Sequence, residues 1–564
     1  MITSTSLLVL TQLIAGTIDI NPGDDLWNTL KEVNAGDEVI IHAGTYKVPG
    51  FVDLAFDGTQ DQPIVVRAGD GEEVIIEGIS SQNTFNIQGS YYTLRGLTIV
   101  GGSHGIRLGN SDHGTIEGIE IRDVGDVGIS CNRPDNTYEA MTIRKNHIHD
   151  TGADGGPGEC MYLGCNNNKC QVWDSMIEFN WCHDTLSGNQ GDGIELKTGS
   201  YNNIIRHNVI HDVNYPAITM YGTVGNKAPN IVEGNAIWNV VDNGIQTVGD
   251  AVVRNNLIFN VGANGIHAKP SQGEIVEQLT IAHNTVINPN GACLRGNDWP
   301  GGEGIVLANN ALYCPGGTAV KLPAGAGSAL VVGNAVVGAV EGAMVGTYDG
   351  ISVEAAFLNA AGKEVYPQTD SPLIDAGEAG HADADFNCLA RDPGGVDVGA
   401  YNYDNSDNPG WVVAPGFKNC ASGDSTGTDS DSTDGTDSSG TDSTDGTGGT
   451  DGTGSTDSSG TDGSGSSGTD STDSSSTDSS GTDGSGTDGS SDSGSAGPTG
   501  GSASSDGNST SDSASTSAGD DDNDDDVGCA CRTLGDQDTP LHLLGLLALV
   551  PLVGRRRRRR APAS

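Results

Sequence analysis

Asparagine returns before a short apolar step at Asn146, Asn180, Asn208, Asn235, Asn256, Asn284, Asn310 and Asn334. The steps follow patterns such as NVI, NAI, NLI or NTV, and after Asn180 they recur about every 25 residues, a period that marks stacked repeats. A second motif falls between them: HGIRLG at 104–109, VGISC at 127–131, DGIELK at 192–197, NGIQTV at 243–248 and NGIHAK at 264–269. β-Branched residues and two-residue alternation indicate strands, and no useful stretch of helical period interrupts them.

Short strands on a turn of about 25 residues suit a right-handed parallel β-helix, an all-β solenoid. A single coil cannot bury its own apolar residues, so neighbouring coils must stack and share a core. The inward pairs are then Ile106/Leu108, Ile129/Cys131, Met161/Leu163, Ile194/Leu196, Ile218/Met220 and Ile266/Ala268. The asparagines form a ladder, each side chain bonding to the backbone of the next coil. His149, His183 and His211 recur in IHD or CHD and stack likewise.

Composition divides the chain. Residues 1–18 read as a signal peptide whose MITSTSLLVLTQLIAG lacks a basic start; the same apolar run also suits a first buried strand or cap. Residues 19–420 form the β-helix domain. Residues 421–527 are almost all Ser, Thr, Asp and Gly, a composition unable to offset ordering entropy, so a disordered acidic spacer is expected. Residues 528–564 hold GCACR, the apolar LHLLGLLALVPLVG and RRRRRR. The apolar run is short against the roughly 20 residues of a full span, and the arginines should stop transfer.

The net charge of −48 argues against nucleic-acid binding, which needs a basic footprint. It leaves an acidic polysaccharide open, because anions can be handled locally by calcium and a few cations. Of the 11 cysteines, Cys160, Cys165, Cys170 and Cys182 crowd together, and Cys388 and Cys420 flank the end of the domain. Their spacing fits no usual zinc pattern, so disulfides in an oxidising compartment are expected, with the pairing open.

Residues flanking the inward pairs point outward. That stripe is Arg107, Ser130, Tyr162, Glu195, Thr219, Gln246, His267 and Cys293, with Lys197, Tyr221, Val248, Lys269 and Arg295 beside it. Glu159 and Asp192 precede equivalent strands and should be neighbours. Calcium takes clustered carboxylate oxygens, which Glu159, Asp192 and Glu195 supply. Lys197, near a cation and partly desolvated, is the candidate base, and Tyr221 the group that protonates a leaving oxygen. Tyr162, His267, Lys269 and Arg295 are candidate substrate contacts. The plain alternative is a solvated face on which Glu195 and Lys197 pair with neighbouring coils.

Over roughly residues 20–403 the chain resembles the right-handed parallel β-helix repeat proteins of the pectate lyase-like superfamily. AGDEVIIHAGTY at 35–46, QPIVVRAG at 62–69 and VIIEG at 74–78 match their usual entry. SPLIDAG…ARDPGGVDVGAYN at 371–402 resembles the choice-of-anchor Q closing motif, and the C-terminal tripartite run resembles the MYXO-CTERM sorting signal. The latter implies export, processing by a sorting protease near Cys529 or Cys531, and anchoring in the membrane at the bacterial cell surface. A plain membrane anchor gives nearly the same location.

Locally, Asp192 and Lys197 resemble the chondroitinase B/alginate lyase family, which places an acidic calcium ligand five residues before a lysine base. Thr198 and Asn202 follow, and Glu159 falls where another ligand lies. Where that family has an arginine this chain has Tyr221, and where it has a further carboxylate this chain has Gln190. The resemblance implies a calcium-dependent polysaccharide lyase, or a C5-epimerase sharing the same proton abstraction; a monomer is expected. The alternative is a non-catalytic glycan-binding or adhesin solenoid.

Overall fold

The structure is a computed structural model that describes residues 16–186, 190–225, 227–342, 348–349, 355–404 and 407–420. The expected acidic spacer, the C-terminal sorting segment and nearly all of the expected signal peptide lie outside the described residues. Strand Thr17–Ile20 already pairs with Glu38–Ile41, so the folded repeat includes the last two residues of the segment read as a signal. Among the described residues no helix is long and apolar enough to cross a membrane.

The strands stack in parallel into three faces. The first is a 13-stranded sheet from Thr17–Ile20 to Leu330–Val332. The second and third, joined by the long strand Ala311–Lys321, hold strands such as Val209–His211 and Ile218–Met220. Each coil visits them in turn: Ile204–Arg206, Val209–His211, then Ile218–Met220. The predicted inward pairs are all buried, none more than 1 % exposed. Alternation explains this, since residues two apart share a face.

The corner between first and second faces is where the asparagine repeat acts. Asn180 Oδ1 accepts from the backbone N–H of Asn146 at 3.0 Å, and its Nδ2 donates to Ile143 O at 2.9 Å. The same bonds recur from Asn208 to Asn334. Each side chain therefore reaches back to the preceding coil. The residue before each ladder asparagine is left-handed, for example Phe179 (φ 52°), His207 (56°) and Asn255 (55°). That turn frees the backbone groups which the asparagine then satisfies. His149, His183 and His211 stack as expected, with ring centroids 4.9 and 5.0 Å apart.

The N-terminal end of the apolar column and one outer face are covered. Helix Leu26–Lys31, capped by Asp25, buries Leu26, Trp27 and Leu30 at the N-terminal end. Beyond residue 355 the chain returns over the outer face of the second sheet. Phe357, Tyr366, Phe386 and Tyr401 pack there on Val209, Trp238, Leu257 and Phe259 in a second core. The ARDPGG segment fastens this return: the buried Arg391 guanidinium donates to Asn255 Oδ1 at 2.8 Å and Gly399 O at 2.9 Å. Asp385 and Asp397 accept the backbone N–H groups of Leu389 and Tyr403.

The cysteines form disulfides: Cys160–Cys182, Cys165–Cys170, Cys293–Cys314 and Cys388–Cys420. Cys131 is free and buried in the core.

Candidate active site

The third sheet carries the cluster. Tyr162, Glu195 and Thr219 lie in register on consecutive strands, with Ser130 before them and Gln246 and His267 after. Two residues upstream, Glu159 and Asp192 are level with each other, as the pairing Met161↔Ile194 requires. On later coils the same row holds Asn243 and Asn264, which bond to each other as a second small ladder. Carboxylates thus stand where the fold elsewhere uses neutral amides.

Although these side chains leave the β-helix core, they are not on a solvated face. Glu159, Asp192, Glu195 and Lys197 are 0, 3, 6 and 5 % exposed. One oxygen from each of the three carboxylates lies within 4.8 Å of the other two. Neither carboxylate oxygen of Glu159 has a hydrogen-bond partner. Asp192 Oδ1 accepts from the Thr219 hydroxyl at 2.6 Å. Burial, then the neighbouring Glu195 charge, pushes both the Glu159 and Asp192 carboxyls well above the ordinary range.

Lys197 Nζ donates to Glu195 Oε1 at 2.5 Å. It lies 4.7 Å from the Tyr162 ring centroid and 4.9 Å from that of Tyr221, so two aromatic faces hold the ammonium. The Tyr221 hydroxyl donates to the same Glu195 oxygen at 3.4 Å. Burial alone would lower the Lys197 pKa, but Glu195, Tyr221 and Asp192 outweigh it and the net shift is upward.

The 165–170 disulfide loop walls the cluster. Gln272, from a turn closed by the Ser271↔Glu274 bridge, donates to Asn166 Oδ1 at 3.2 Å and accepts from the Thr198 hydroxyl at 2.5 Å. This roof was not legible in the sequence, because Gln272 reaches Thr198 across 74 residues. Thr219 was placed in the outward stripe without a role, and Asp242 was missed. Asp242 is close enough to raise Asp192 further, and it stands one residue before Asn243, the position equivalent to Asp192.

The other predicted residues lie farther along. His267 is three coils from Glu195, about 14 Å at the strand spacing. Its register partner is Arg295, so Arg295 belongs in the outward stripe where Cys293 was placed. The larger Leu294 takes the inward position opposite Ile266, and Cys293 is buried in its disulfide. Lys269, half-buried, flanks His267. The structure does not bring these three to the carboxylate cluster. Cavities of about 350 and 360 Å³ also lie elsewhere, one beside Asp57, Ser90 and Asp112, the other beside Tyr313 and Phe357.

Residues 11–274 match the family model described as Pel9A-like, right handed beta helix region. The chain is a right-handed parallel β-helix, similar over those residues to the Pel9A-like family. Its match therefore includes every member of the carboxylate–lysine cluster. No curated protein sequence matches the chain. Among solved structures it is similar to an alginate lyase from Paenibacillus sp. str. FPU-7, at 22 % identity over 46 % of this chain and 97 % of that one, with a TM-score of 0.34. It is also similar to pectate lyase Pel9A, at 14 % identity over 70 % and 98 % of the two chains, with a TM-score of 0.43. The mannuronan C-5 epimerase AlgE6 A-module of Azotobacter vinelandii is 15 % identical over 56 % of this chain and 90 % of that one, with a TM-score of 0.40.

Proposed function

We propose that the protein cleaves a uronic-acid polysaccharide by β-elimination, with calcium held by Glu159, Asp192 and Glu195. One observation carries this reading: three buried carboxylates face a single ammonium, that of Lys197. Fully ionised, the group has two negative charges in excess. An uncompensated buried charge is too costly to keep, so the cluster must take up either protons or a cation. The donors are all oxygen, which suits calcium. The unpartnered oxygens of Glu159 are the natural ligands.

When bound, calcium would supply positive charge for the substrate carboxylate, with Glu159, Asp192 and Glu195 as the residues that would hold it. Lys197 Nζ, held between the two tyrosine rings, then removes the proton alpha to that carboxylate. The C–H pair becomes the new C=C bond as the glycosidic C–O bond breaks. Tyr221, one coil on, gives its proton to the leaving oxygen. The buried setting keeps water from competing for these protons. The family model's namesake, a pectate lyase, is consistent with an acidic substrate.

Export and anchoring by residues 528–564, with the spacer holding the β-helix away from the cell, belong to the same proposal, as does a monomeric chain. Cell fractionation of the full chain, with and without 541–560, tests the anchor.

Lys197→Ala against wild type, on a panel of alginate, pectate and glycosaminoglycans, tests the chemistry. Wild type should form unsaturated, ultraviolet-absorbing ends and the variant should not. Epimerised polymer without scission would make the protein a C5-epimerase. Glycan binding with no product would make it an adhesin.

A further inference from the structure

A second cluster of ligating groups lies on the second sheet, away from the carboxylates. His147 and His149 are two apart on strand His147–Thr151 and so share its outer side. His183 is in register with His149 on the next strand. One ring nitrogen from each lies within 4.8 Å of the other two. All three rings are partly exposed, so an ion can reach them from solvent.

The following aspartates fix the tautomers. His149 Nδ1 donates to Asp150 at 2.6 Å and His183 Nδ1 to Asp184 at 2.7 Å. Both aspartates are left-handed (φ 51° each), which turns each carboxylate back onto its own histidine. The Nε2 atoms of His149 and His183 are thereby turned away from the aspartates, toward Glu120 and His147. His183 Nε2 is 2.8 Å from His147 Nε2, and His149 Nε2 is 3.4 Å from Glu120 Oε1. His147 is also held flat against Trp181, with centroids 3.9 Å apart and planes 1° apart. His211 provides the contrast: it has the same aspartate bond, but its Nε2 accepts the Trp181 indole N–H at 3.0 Å and is satisfied.

We infer that His147, His149 and His183 form a site for a divalent transition-metal ion of the zinc class, with Glu120 as an oxygen donor beside it. Imidazole donors favour zinc, copper and nickel over calcium. A carboxylate on the far ring nitrogen is the arrangement that orients histidine ligands. A tetrahedral zinc needs nitrogens about 3.3 Å apart, so the rings need open only slightly. The ion would staple two successive coils on the face where the chain returns; Phe417 lies edge-on to His147, with centroids 6.4 Å apart.

The test is zinc binding to the full, tag-free chain in excess calcium, by equilibrium dialysis and by the visible spectrum of the cobalt form. We expect zinc to be retained by wild type and by Glu159→Gln. Asp184→Asn, which leaves all three rings in place, should bind about 10- to 100-fold more weakly, and His183→Gln more weakly still. Cobalt should show the intense visible bands of a tetrahedral site. A wild type that binds no zinc in excess calcium would overturn the site, as would His183→Gln and Asp184→Asn binding like wild type. Should His183→Gln fail to fold, Asp184→Asn and the wild-type cobalt spectrum decide: unchanged affinity or the weak bands of a hexaaquo ion would overturn it.

Discussion

Glu159→Gln is the substitution whose effects follow most directly from the cluster. Glu159 is wholly buried, both its oxygens lack hydrogen bonds, and burial followed by Glu195 raises its pKa. The unfolded chain therefore releases this proton at a lower pH than the folded protein does. From the ordinary carboxylate range up to the raised folded value, the native state binds more protons, so stability falls as pH rises. The slope is about 1.4 kcal/mol per pH unit for each proton retained. In chelator, the wild-type coils 159–196 should lose protection steadily as pH rises above the ordinary carboxylate range, and Glu159→Gln should remove one proton's share of that slope. Calcium should reverse the loss in wild type by about 2.7 kcal/mol at a hundred times its dissociation constant, and much less in the variant. Hydrogen exchange, corrected for its intrinsic pH dependence, is the suitable assay, because a long repeat array need not unfold in one step. A flat pH profile in chelator, or equal calcium protection in both proteins, would refute the reasoning.

Lys197→Met should abolish product formation and, in chelator, cost about 3–5 kcal/mol locally by leaving Glu195 buried without its cation; exchange at 194–196 reports the second effect. Asn208→Ala leaves the Asn180 N–H and the Ile177 carbonyl without partners, a loss of about 2–6 kcal/mol to be read by urea unfolding and exchange in the flanking coils. Arg391→Ala removes the donors to Asn255 and Gly399; limited proteolysis should cut within 371–420 while the coils below residue 275 keep their protection.

The β-helix was legible because its two repeats are tied to separate physical tasks. The GI-x-L pairs fill the column, and the asparagines satisfy one corner; both show in sequence as fixed residue types at a steady period. The carboxylate–lysine cluster was legible for the same reason, since Glu159, Asp192 and Glu195 hold defined places in that period. Its burial was not legible. The roof comes from Gln272 and the 165–170 loop, brought in by coil stacking over long sequence separations. Neither was the direct pairing of Lys197 with Glu195 on its own strand, a 2.5 Å approach. The second core left a faint signal. AIW at 236–238 and LIF at 257–259 are apolar at every position, the mark of strands covered on both faces. Cys293 was misplaced because CLR and LRG are equally good outward–inward readings, and only the pairing of Leu294 with Ile266 separates them.

The central claim is that coil 192–197 eliminates across a uronic-acid linkage with calcium. Mass analysis of the products from a polyuronate panel, with calcium and with chelator, tests it most directly. The account predicts oligosaccharides lighter by one water than hydrolysis products, formed only with calcium and absent with Lys197→Ala. Fully hydrated products, or unsaturated products formed equally in chelator or by Lys197→Ala, would contradict it.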